Sequence, residues 1–282
     1  MRDFAGKVAV ITGGGGTFGQ AMATCFARAG ARLVLADLRP EALDPAVLAL
    51  RALGADVIGV PTDVSDAASV DALAQRALDA FGAVHIVANN AGVAPIGAVW
   101  ESTTADWQWS LGVNLWGVIH GVRVFTPILL RQGVEGHIIN VASVAGLISP
   151  PGMGAYNVSK HAVVALTESL HNDLALVTDQ VRCSVVCPAY FPSGISNSEA
   201  ARPDALKNST ALTEQQLEMQ RMLEKAVSSG RVAAADIAEL VIDAVRERKF
   251  YVLSHPRIKG AIQARMEDIL DEHNPRDPMR LG

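Results

Sequence analysis

The stretch VAVITGGGGTFG, residues 8–19, decides the fold of this chain of 282 residues. Its first half is a continuous aliphatic run, which is typical of a buried parallel strand. Its four glycines allow a tight turn and a close approach of the backbone to a pyrophosphate, whose charge is favoured by the free N–H groups of a following helix. A glycine-rich loop between a first strand and a first helix predicts a nucleotide site. No GK[ST] sequence follows the loop, which disfavours a P-loop NTPase.

Similar β-branched runs recur along the chain, and segments with helical patterns separate them. This alternation predicts an α/β fold, a doubly wound seven-stranded parallel sheet with helices on both faces, in a single domain over residues 1–282. The expected strands cover 7–12, 32–37, 56–61, 84–89, 137–142, 181–187 and 250–253. The expected helices cover 17–29, 66–81, 105–132, 155–178, 213–228 and 233–247.

Composition limits what such a fold can do. Hydrophobic residues make up 50% of the chain and aromatic residues only 5%, so the core is mostly aliphatic. The 24 basic and 29 acidic residues give a net charge of −5, which provides no electrostatic footprint for a nucleic acid. No run approaches the ~20 apolar residues of a membrane span, and Asp3 and Lys7 interrupt the terminus where a signal peptide is apolar. Three cysteines that cannot all pair indicate reduced core thiols, and we expect a cytoplasmic protein without membrane or nucleic-acid partners.

The second expected strand ends in Asp37, about 20 residues after the glycine loop, where a carboxylate can bind the ribose hydroxyls of an adenosine. The same charge repels a 2′-phosphate, and residues 12–19 contain no lysine or arginine. We therefore expect NAD as the cofactor, with NADP as the less favoured alternative because Arg39 is close by. Asp37 could instead do no more than begin a turn.

Tyr156 and Lys160 lie four residues apart at the start of an expected helix and so share one of its faces. An ammonium near a phenol lowers the phenol pKa from its ordinary value of ~10, toward acid–base work near neutral pH. Ser143, at the end of the preceding strand, could bind the same reacting oxygen. Taken alone, the Tyr-x-x-x-Lys spacing is equally typical of a surface or packing role. The histidines and cysteines form no HExxH or Cys/His cluster, so no metal site is expected.

Together these motifs resemble the short-chain dehydrogenase/reductase family over residues 6 to 253. The resemblance implies a Rossmann fold and a catalytic set of Asn114, Ser143, Tyr156 and Lys160. In this set Tyr156 exchanges the proton, Ser143 positions the carbonyl or hydroxyl oxygen, and Lys160 holds the nicotinamide ribose and lowers the tyrosine pKa. Asn114 holds a water that leads protons to solvent. The motifs that carry the resemblance are Thr12–Gly19, Asp63-Val64, Asn89-Asn90-Ala91-Gly92, Asn114, Ser143, Tyr156-x-x-x-Lys160 and the segment from Pro188 onward.

The family pattern also implies which residues bind the cofactor, and this chain departs from the pattern twice. Thr17 stands where a glycine is usual, which is tolerated if its φ is negative, and Ala189 replaces the glycine that commonly follows the proline. Ser193 keeps a hydroxyl for the nicotinamide amide. The implied cofactor residues are Gly13, Gly15, Gly16, Thr17, Phe18, Gly19, Asp37, Asp63, Val64, Asn90, Ala91, Gly92, Tyr156, Lys160, Pro188 and Ser193.

Residues 189–212 lose any regular pattern, and with the helix that follows they predict a substrate lid over 189–228. We expect Ser143, Tyr156, Tyr190 and Phe191 to contact the substrate. Tyr190, Phe191, Ile195 and Met222 form an apolar substrate wall under this lid or, equally, belong to the core. Residues 254–282 form a C-terminal extension.

The runs at 112–121, 193–204 and 250–270 resemble a subgroup that acts on bulky secondary alcohols, the lignin-type aryl-ether Cα-dehydrogenases. The expected function is therefore NAD-dependent hydride transfer between nicotinamide and a secondary alcohol or ketone that is bulky and apolar or aromatic. Two alternatives are an NAD(P)-dependent reductase of steroid-like or acyl ketones and, least favoured, a non-catalytic regulator that binds the cofactor. Segments 105–132 and 155–178 resemble the dimer-forming helices of the family and predict a homodimer or homotetramer.

Overall fold

Seven parallel strands form one sheet in the order β3-β2-β1-β4-β5-β6-β7 in a computed structural model that describes residues 1–278. The predicted doubly wound α/β fold is confirmed, and each predicted strand is present. The strands are β1 Val8–Thr12, β2 Arg32–Asp37, β3 Val57–Pro61, β4 Ile86–Asn89, β5 Gly136–Val141, β6 Val181–Cys187 and β7 Tyr251–Leu253.

Nine α-helices connect and follow the strands within the described residues. Two of them, α2 and α9, were not predicted from the sequence. The helix predicted over 105–132 contains a π-helical turn, Gly112–Trp116, and two 3₁₀ turns, Gly194–Ala201 and Asp204–Leu206, occupy the segment that lacks a pattern. The helices are α1 Thr17–Arg28, α2 Pro40–Ala52, α3 Ala67–Phe81, α4 Thr104–Leu111, α5 Gly117–Gln132, α6 Gly154–Val177, α7 Glu214–Ser228, α8 Ala234–Glu247 and α9 Ile258–Leu270.

Helices cover both faces of the sheet because successive side chains of each strand point to opposite sides. Ala9 and Ile11 of β1 face a core that is completed by α1, α2 and α8. Val8 and Val10 face the opposite core, which α3, α5 and α6 complete. Both faces of β1 are therefore fully buried, which explains why its sequence is continuously aliphatic rather than alternating.

The helical segment Thr104–Gln132 is long and apolar enough to span a membrane by length and composition, with a mean hydropathy of 1.4 in its most apolar window. In this fold it covers the sheet. Phe125 and Leu129 are fully buried against the core, and α5 packs on β4, β5 and α3. The apolar character of this segment thus serves the interior of the fold.

The strand order reverses between β1 and β4, which lie side by side although α1, α2 and α3 separate them in sequence. Hydrogen bonds tie the two strand ends together. Thr12 Oγ1 accepts from the backbone N–H groups of Asn90, at 2.9 Å, and Ala91, at 3.1 Å. Asn90 Nδ2 donates to the Thr12 carbonyl at 2.8 Å. Ligand sites of open α/β sheets lie at such a reversal, beyond the carboxyl ends of the strands.

The predicted C-terminal extension begins after β7 and contains α9. Its last four residues, 279–282, lie outside the described residues.

Candidate active site

A cleft of about 520 Å³ follows the carboxyl ends of the strands. Every cofactor residue predicted from the sequence lines it, from the glycine loop at one end to Pro188 and Ser193 at the other. Ser143, Tyr190 and Phe191 line it too. Asn114 does not, so the fold gathers all the predicted site residues but one around a single space.

The glycine loop is packed so closely that side chains would obstruct it. Gly13 has a φ of +62°, and a Cβ built there would lie 3.0 Å from the Ala91 Cα. A Cβ on Gly19 would meet the Gly13 carbonyl oxygen at 2.2 Å. Thr17 begins α1 and does not have a positive φ, so the condition for tolerating a side chain at this position is met. No side chain caps α1, whose first turn therefore offers its N–H groups at the cleft.

Asp37 closes β2 and lies beside this loop. Its Oδ2 accepts a hydrogen bond from the Gly15 N–H at 3.0 Å, and its Oδ1 accepts one from the Arg39 N–H at 3.3 Å. The carboxylate lines the cleft and is partly exposed. Asp37 thus does shape a turn, as the simpler interpretation held, and it also presents a negative charge at this end of the cleft.

Tyr156 and Ser143 meet at the other end. Tyr156 lies in the first turn of α6 and is almost fully buried, and Ser143 is the second residue after β5. The Ser143 hydroxyl donates to the Pro188 carbonyl at 3.4 Å. Its proximity lowers the Tyr156 pKa, but burial outweighs this effect and raises that pKa to about 12. Ala145 N–H donates to Ser143 Oγ at 3.1 Å, which fixes the serine in place.

Lys160 lies one helical turn beyond Tyr156 and is 3% exposed. Its Nζ donates to the Val141 carbonyl at 2.9 Å and lies 5.6 Å from the centre of the Tyr156 ring. Burial lowers the Lys160 pKa to about 8, because an ammonium is poorly solvated there. The proposed effect of this lysine on the tyrosine pKa stays a prediction.

Asn114 sits in the π-helical turn, fully buried behind the cleft. Its Oδ1 accepts from the Val93 N–H and its Nδ2 donates to the Val93 carbonyl, each at 2.8 Å. Nδ2 also approaches Ser159 Oγ at 3.1 Å. A Cβ built on Gly92 would lie 3.4 Å from Asn114 Oδ1 and 3.6 Å from Lys160 Nζ, so the three residues are neighbours. The water-holding role implied for Asn114 stays a prediction.

Comparison with known proteins agrees with this arrangement. The family model for short chain dehydrogenases matches residues 7–204. This chain belongs to the short-chain dehydrogenase family. The predicted family is thereby confirmed, and the protein is an oxidoreductase of that family.

A short-chain dehydrogenase/reductase from Burkholderia phymatum, whose crystal structure is a complex with NAD, is 54% identical in sequence to this chain. The two structures match with a TM-score of 0.97 over 99% of each chain. A CLA biosynthesis dehydrogenase/reductase of Lactiplantibacillus plantarum is 33% identical over 98% of this chain and 97% of its own length. A C alpha-dehydrogenase of a Sphingobium species is 30% identical over 98% of this chain and 90% of its own. The last similarity confirms the resemblance to Cα-dehydrogenases that was inferred from the sequence.

In this short-chain dehydrogenase an apolar group surrounds the Tyr156 side of the cleft. Tyr190 and Ile195 pack against it and line the cleft, and their contact with a substrate stays a prediction. Phe191 also lines the cleft but packs edge-on against Phe18 of the glycine loop, with ring centres 5.5 Å apart. The other buried members of the apolar group are Ala94, Ala145, Met153, Leu223 and Val227, and Ile96 packs against them.

The suggested place of Met222 in this wall or in the core is wrong. Its side chain is 60% exposed and does not line the cleft. The neighbouring Leu223 and Val227, four residues apart on the inner face of α7, contribute instead.

Sequence reasoning missed Trp109 and Leu206, which also line the cleft, and the pair of Asp106 and Arg202 behind them. The spacing of Thr103 and Asp106 is that of a capping box, so the start of α4 could have been found from it. The partner of Asp106 could not, because Arg202 lies 96 residues further along the chain.

The residues of the cleft fit a nicotinamide dinucleotide. The glycine loop is packed too closely for side chains and lines the cleft with backbone, which suits a pyrophosphate, and the negatively charged Asp37 suits a ribose diol better than a phosphate. At the opposite end the Ser193 hydroxyl is buried without a hydrogen-bond partner, which suits a polar amide.

Proposed function

We propose that this short-chain dehydrogenase uses NAD to oxidise a secondary alcohol, or to reduce the matching ketone, and that its substrate is bulky and apolar or aromatic. The observation that carries this proposal is the position of the Tyr156 and Ser143 hydroxyls. They lie in the same cleft as the glycine loop and Asp37, so a bound dinucleotide would reach from one group to the other. The NAD complex of the Burkholderia relative supports the choice of cofactor.

In this proposal each catalytic side chain has a distinct task. Bound NAD supplies the hydride acceptor when an alcohol is oxidised. Tyr156 exchanges a proton with the substrate oxygen, and Ser143 holds that oxygen through its hydroxyl. Lys160 contacts the nicotinamide ribose and favours the phenolate by its charge, while Asn114 fixes the backbone of Val93 at the cleft wall.

The apolar group beside Tyr156 supports a bulky apolar or aromatic substrate. Met153, Leu223 and Val227 offer aliphatic surface, and Tyr190 and Trp109 offer aromatic surface. The resemblance to Cα-dehydrogenases, which includes the Sphingobium relative, supports a substrate of this kind. Asp37 supports NAD over NADP because its charge repels a 2′-phosphate.

The test is to incubate the enzyme with NAD and a panel of secondary alcohols while following the absorbance of the reduced cofactor. Turnover of bulky benzylic alcohols by the unmodified enzyme, and its loss in Tyr156→Phe, would support the proposal. A non-catalytic regulator would be favoured if the protein binds NAD but neither oxidises any of the alcohols nor reduces any of the matching ketones with NADH.

We further propose a homodimer or homotetramer in the cytoplasm, and a lid over 189–228 on a single domain. Exposed apolar side chains on the two long helical segments support the assembly, since Trp116 is 51%, Leu176 85% and Val177 68% exposed. The unpaired cysteines support a reducing compartment. Light scattering that shows a monomer would contradict the assembly.

A further inference from the structure

A buried ion pair fastens the irregular part of the lid to the start of α4. The Arg202 side chain is 3% exposed, although the adjoining 3₁₀ turn, Gly194–Ala201, contains no buried residue. Its Nη2 donates to Asp106 Oδ1, its Nη1 donates to Glu199 Oε1 at 3.1 Å, and its Nε donates to the Leu206 carbonyl at 2.7 Å. The guanidinium therefore connects Asp106 in α4 with Glu199 and Leu206 of the lid.

Asp106 also accepts hydrogen bonds from residues other than Arg202. Its Oδ2 accepts from the Thr103 N–H at 2.8 Å, and its Oδ1 accepts from Asn208 Nδ2 at 3.0 Å. Thr103 Oγ1 donates to Asn208 Oδ1 at 2.7 Å, which closes the network. These hydrogen bonds keep the Asp106 pKa below its ordinary value despite burial, so the carboxylate stays charged opposite Arg202. We name these five residues, Thr103, Asp106, Glu199, Arg202 and Asn208, the lid clamp.

The lid clamp lines a second space beside the main cleft, and two residues that Arg202 contacts, Trp109 and Leu206, line the main cleft itself. A second cavity of about 340 Å³ is lined by Asp106, Arg202 and Asn208, whereas the flanking Leu206 lines the main cleft. Ser198 and Ala94 line both spaces, so the two cavities adjoin at these residues.

Trp109 stands against the clamp from within the main cleft. It is buried and lines that cleft, and the Arg202 guanidinium lies 4.9 Å from the centre of its ring. The arginine thus supports one aromatic wall of the substrate space by a cation–π contact.

We infer that Arg202 is a specificity-determining residue that limits the length of the substrate. By holding the turn at Ser198 and the ring of Trp109 in place, it closes the outer cavity to a molecule bound at Tyr156. Aryl secondary alcohols that fit within the main cleft are then accepted, and those with a chain long enough to enter the outer cavity are excluded. This inference rests on the proposed oxidation of secondary alcohols.

The test compares two alcohols of the same chemistry, 1-phenylethanol and 1-(4-hexylphenyl)ethanol, with NAD saturating. In Arg202→Ala we expect the ratio of kcat/KM for the long alcohol to that for the short one to rise at least tenfold, about 1.4 kcal/mol. Arg202→Lys, which keeps a long cationic side chain, should hold the ratio near that of the unmodified enzyme. Arg221→Ala is the matched control, because it removes an exposed ion pair with Glu218 on α7 of the same lid and should leave the ratio unchanged.

A parallel fall of kcat/KM for both alcohols in Arg202→Ala would overturn the inference and leave Arg202 a purely structural role. Should Arg202→Ala fail to fold because Asp106 is left unpaired, the double variant Asp106→Asn, Arg202→Ala removes both charges of the ion pair, and an unchanged ratio there overturns the inference equally. If the unmodified enzyme oxidises neither alcohol, the proposed function fails for benzylic alcohols. Binding of the two alcohols to the NAD-saturated enzyme, measured by calorimetry, then tests the inference separately: a ratio of Kd values that shifts toward the long alcohol in Arg202→Ala supports it, and an unchanged ratio overturns it.

Discussion

Replacing Lys160 by methionine should make the fold more stable while it abolishes turnover. The lysine is 3% exposed, and burial lowers its pKa from 10.5 to about 8. The shift means that the folded chain holds the ammonium less favourably than the unfolded chain does. Methionine keeps a long apolar side chain at the same place and has no charge to desolvate.

The size of the effect and its dependence on pH follow from the two pKa values. Below pH 8 both states are protonated, and at about 1.4 kcal/mol per pKa unit the lysine destabilises the folded state by on the order of 3 kcal/mol. As the pH rises from 8 toward 10.5, the folded chain releases its proton before the unfolded chain, so this penalty shrinks to about 1 kcal/mol at pH 10. The substitution also removes the hydrogen bond to the Val141 carbonyl, which lowers the free energy of unfolding by about 1 kcal/mol. We therefore expect Lys160→Met to be more stable by about 2 kcal/mol at pH 7 and by close to nothing at pH 10.

The assay is urea unfolding followed by tryptophan fluorescence at pH 7 and pH 10, without added nucleotide. Lys225→Met is the control, since that lysine is exposed on α7 and its removal should change the free energy of unfolding little at either pH. A Lys160→Met variant that is no more stable than the unmodified enzyme at pH 7 would refute the reasoning. So would a gain of equal size at both pH values.

Three further perturbations probe other parts of the molecule. Tyr156→Phe should lower kcat on the order of 10²- to 10⁴-fold while the Kd for NAD, measured by fluorescence titration, stays the same; near-normal turnover would remove the tyrosine from proton transfer. Asp37→Ala should narrow the kcat/KM preference for NAD over NADP by roughly tenfold or more, because like charges repel by roughly 1 to 4 kcal/mol at close range; an unchanged preference would exclude the proposed ribose contact. His137 is fully buried with Nε2 2.8 Å from Ser184 Oγ, and burial lowers its pKa to about 3, so unfolding takes up a proton below pH 6.5. Compared with His137→Gln, the unmodified enzyme should lose about 1.4 kcal/mol of stability per pH unit as the pH falls from 6 to 4; unfolding curves whose difference is constant over this range would contradict the shifted pKa.

The parts of the site that could be predicted from the sequence are those that local spacing determines. The glycine loop directly follows β1, and Asp37 ends β2, so both necessarily reach the carboxyl edge of a parallel sheet. Tyr156 and Lys160 are one helical turn apart, and no other part of the chain is needed to bring them together.

The sequence of helix α2 contains a helical pattern of apolar residues, but a proline within it hides the pattern. Its buried residues Leu43, Ala46, Val47 and Leu50 have the spacing of one helix face. Pro45 lies among them, and a proline inside a helical pattern predicts an interruption. Pro45 has no N–H for the Glu41 carbonyl, so α2 lacks one hydrogen bond there and still continues to Ala52.

The lid clamp and His137 show what local patterns cannot supply. Arg202 stands in a segment of polar and small residues that is typical of an exposed loop, and its burial depends on Asp106, which lies 96 residues earlier. His137 occupies a strand position whose neighbours are apolar, and its partner Ser184 comes from the adjacent strand. In both cases the polar group is satisfied only by a contact that the tertiary fold creates.

The helical segment Thr104–Gln132 combines a local sequence pattern with long-range contacts, because this one element contacts the core, the cleft and the lid. Its C-terminal half is fixed by Phe125 and Leu129, which are buried against the sheet. Its N-terminal turn carries Asp106, which binds the lid through Arg202. Between them the π-helical turn widens the helix by one residue and places the Asn114 amide against the backbone of Val93, next to the cleft. A regular α-helix would rotate every residue after this turn by about 100°, so it could not keep both Asp106 on the lid and Phe125 in the core. The widened turn is therefore what allows a helix anchored in the core to support the substrate wall as well.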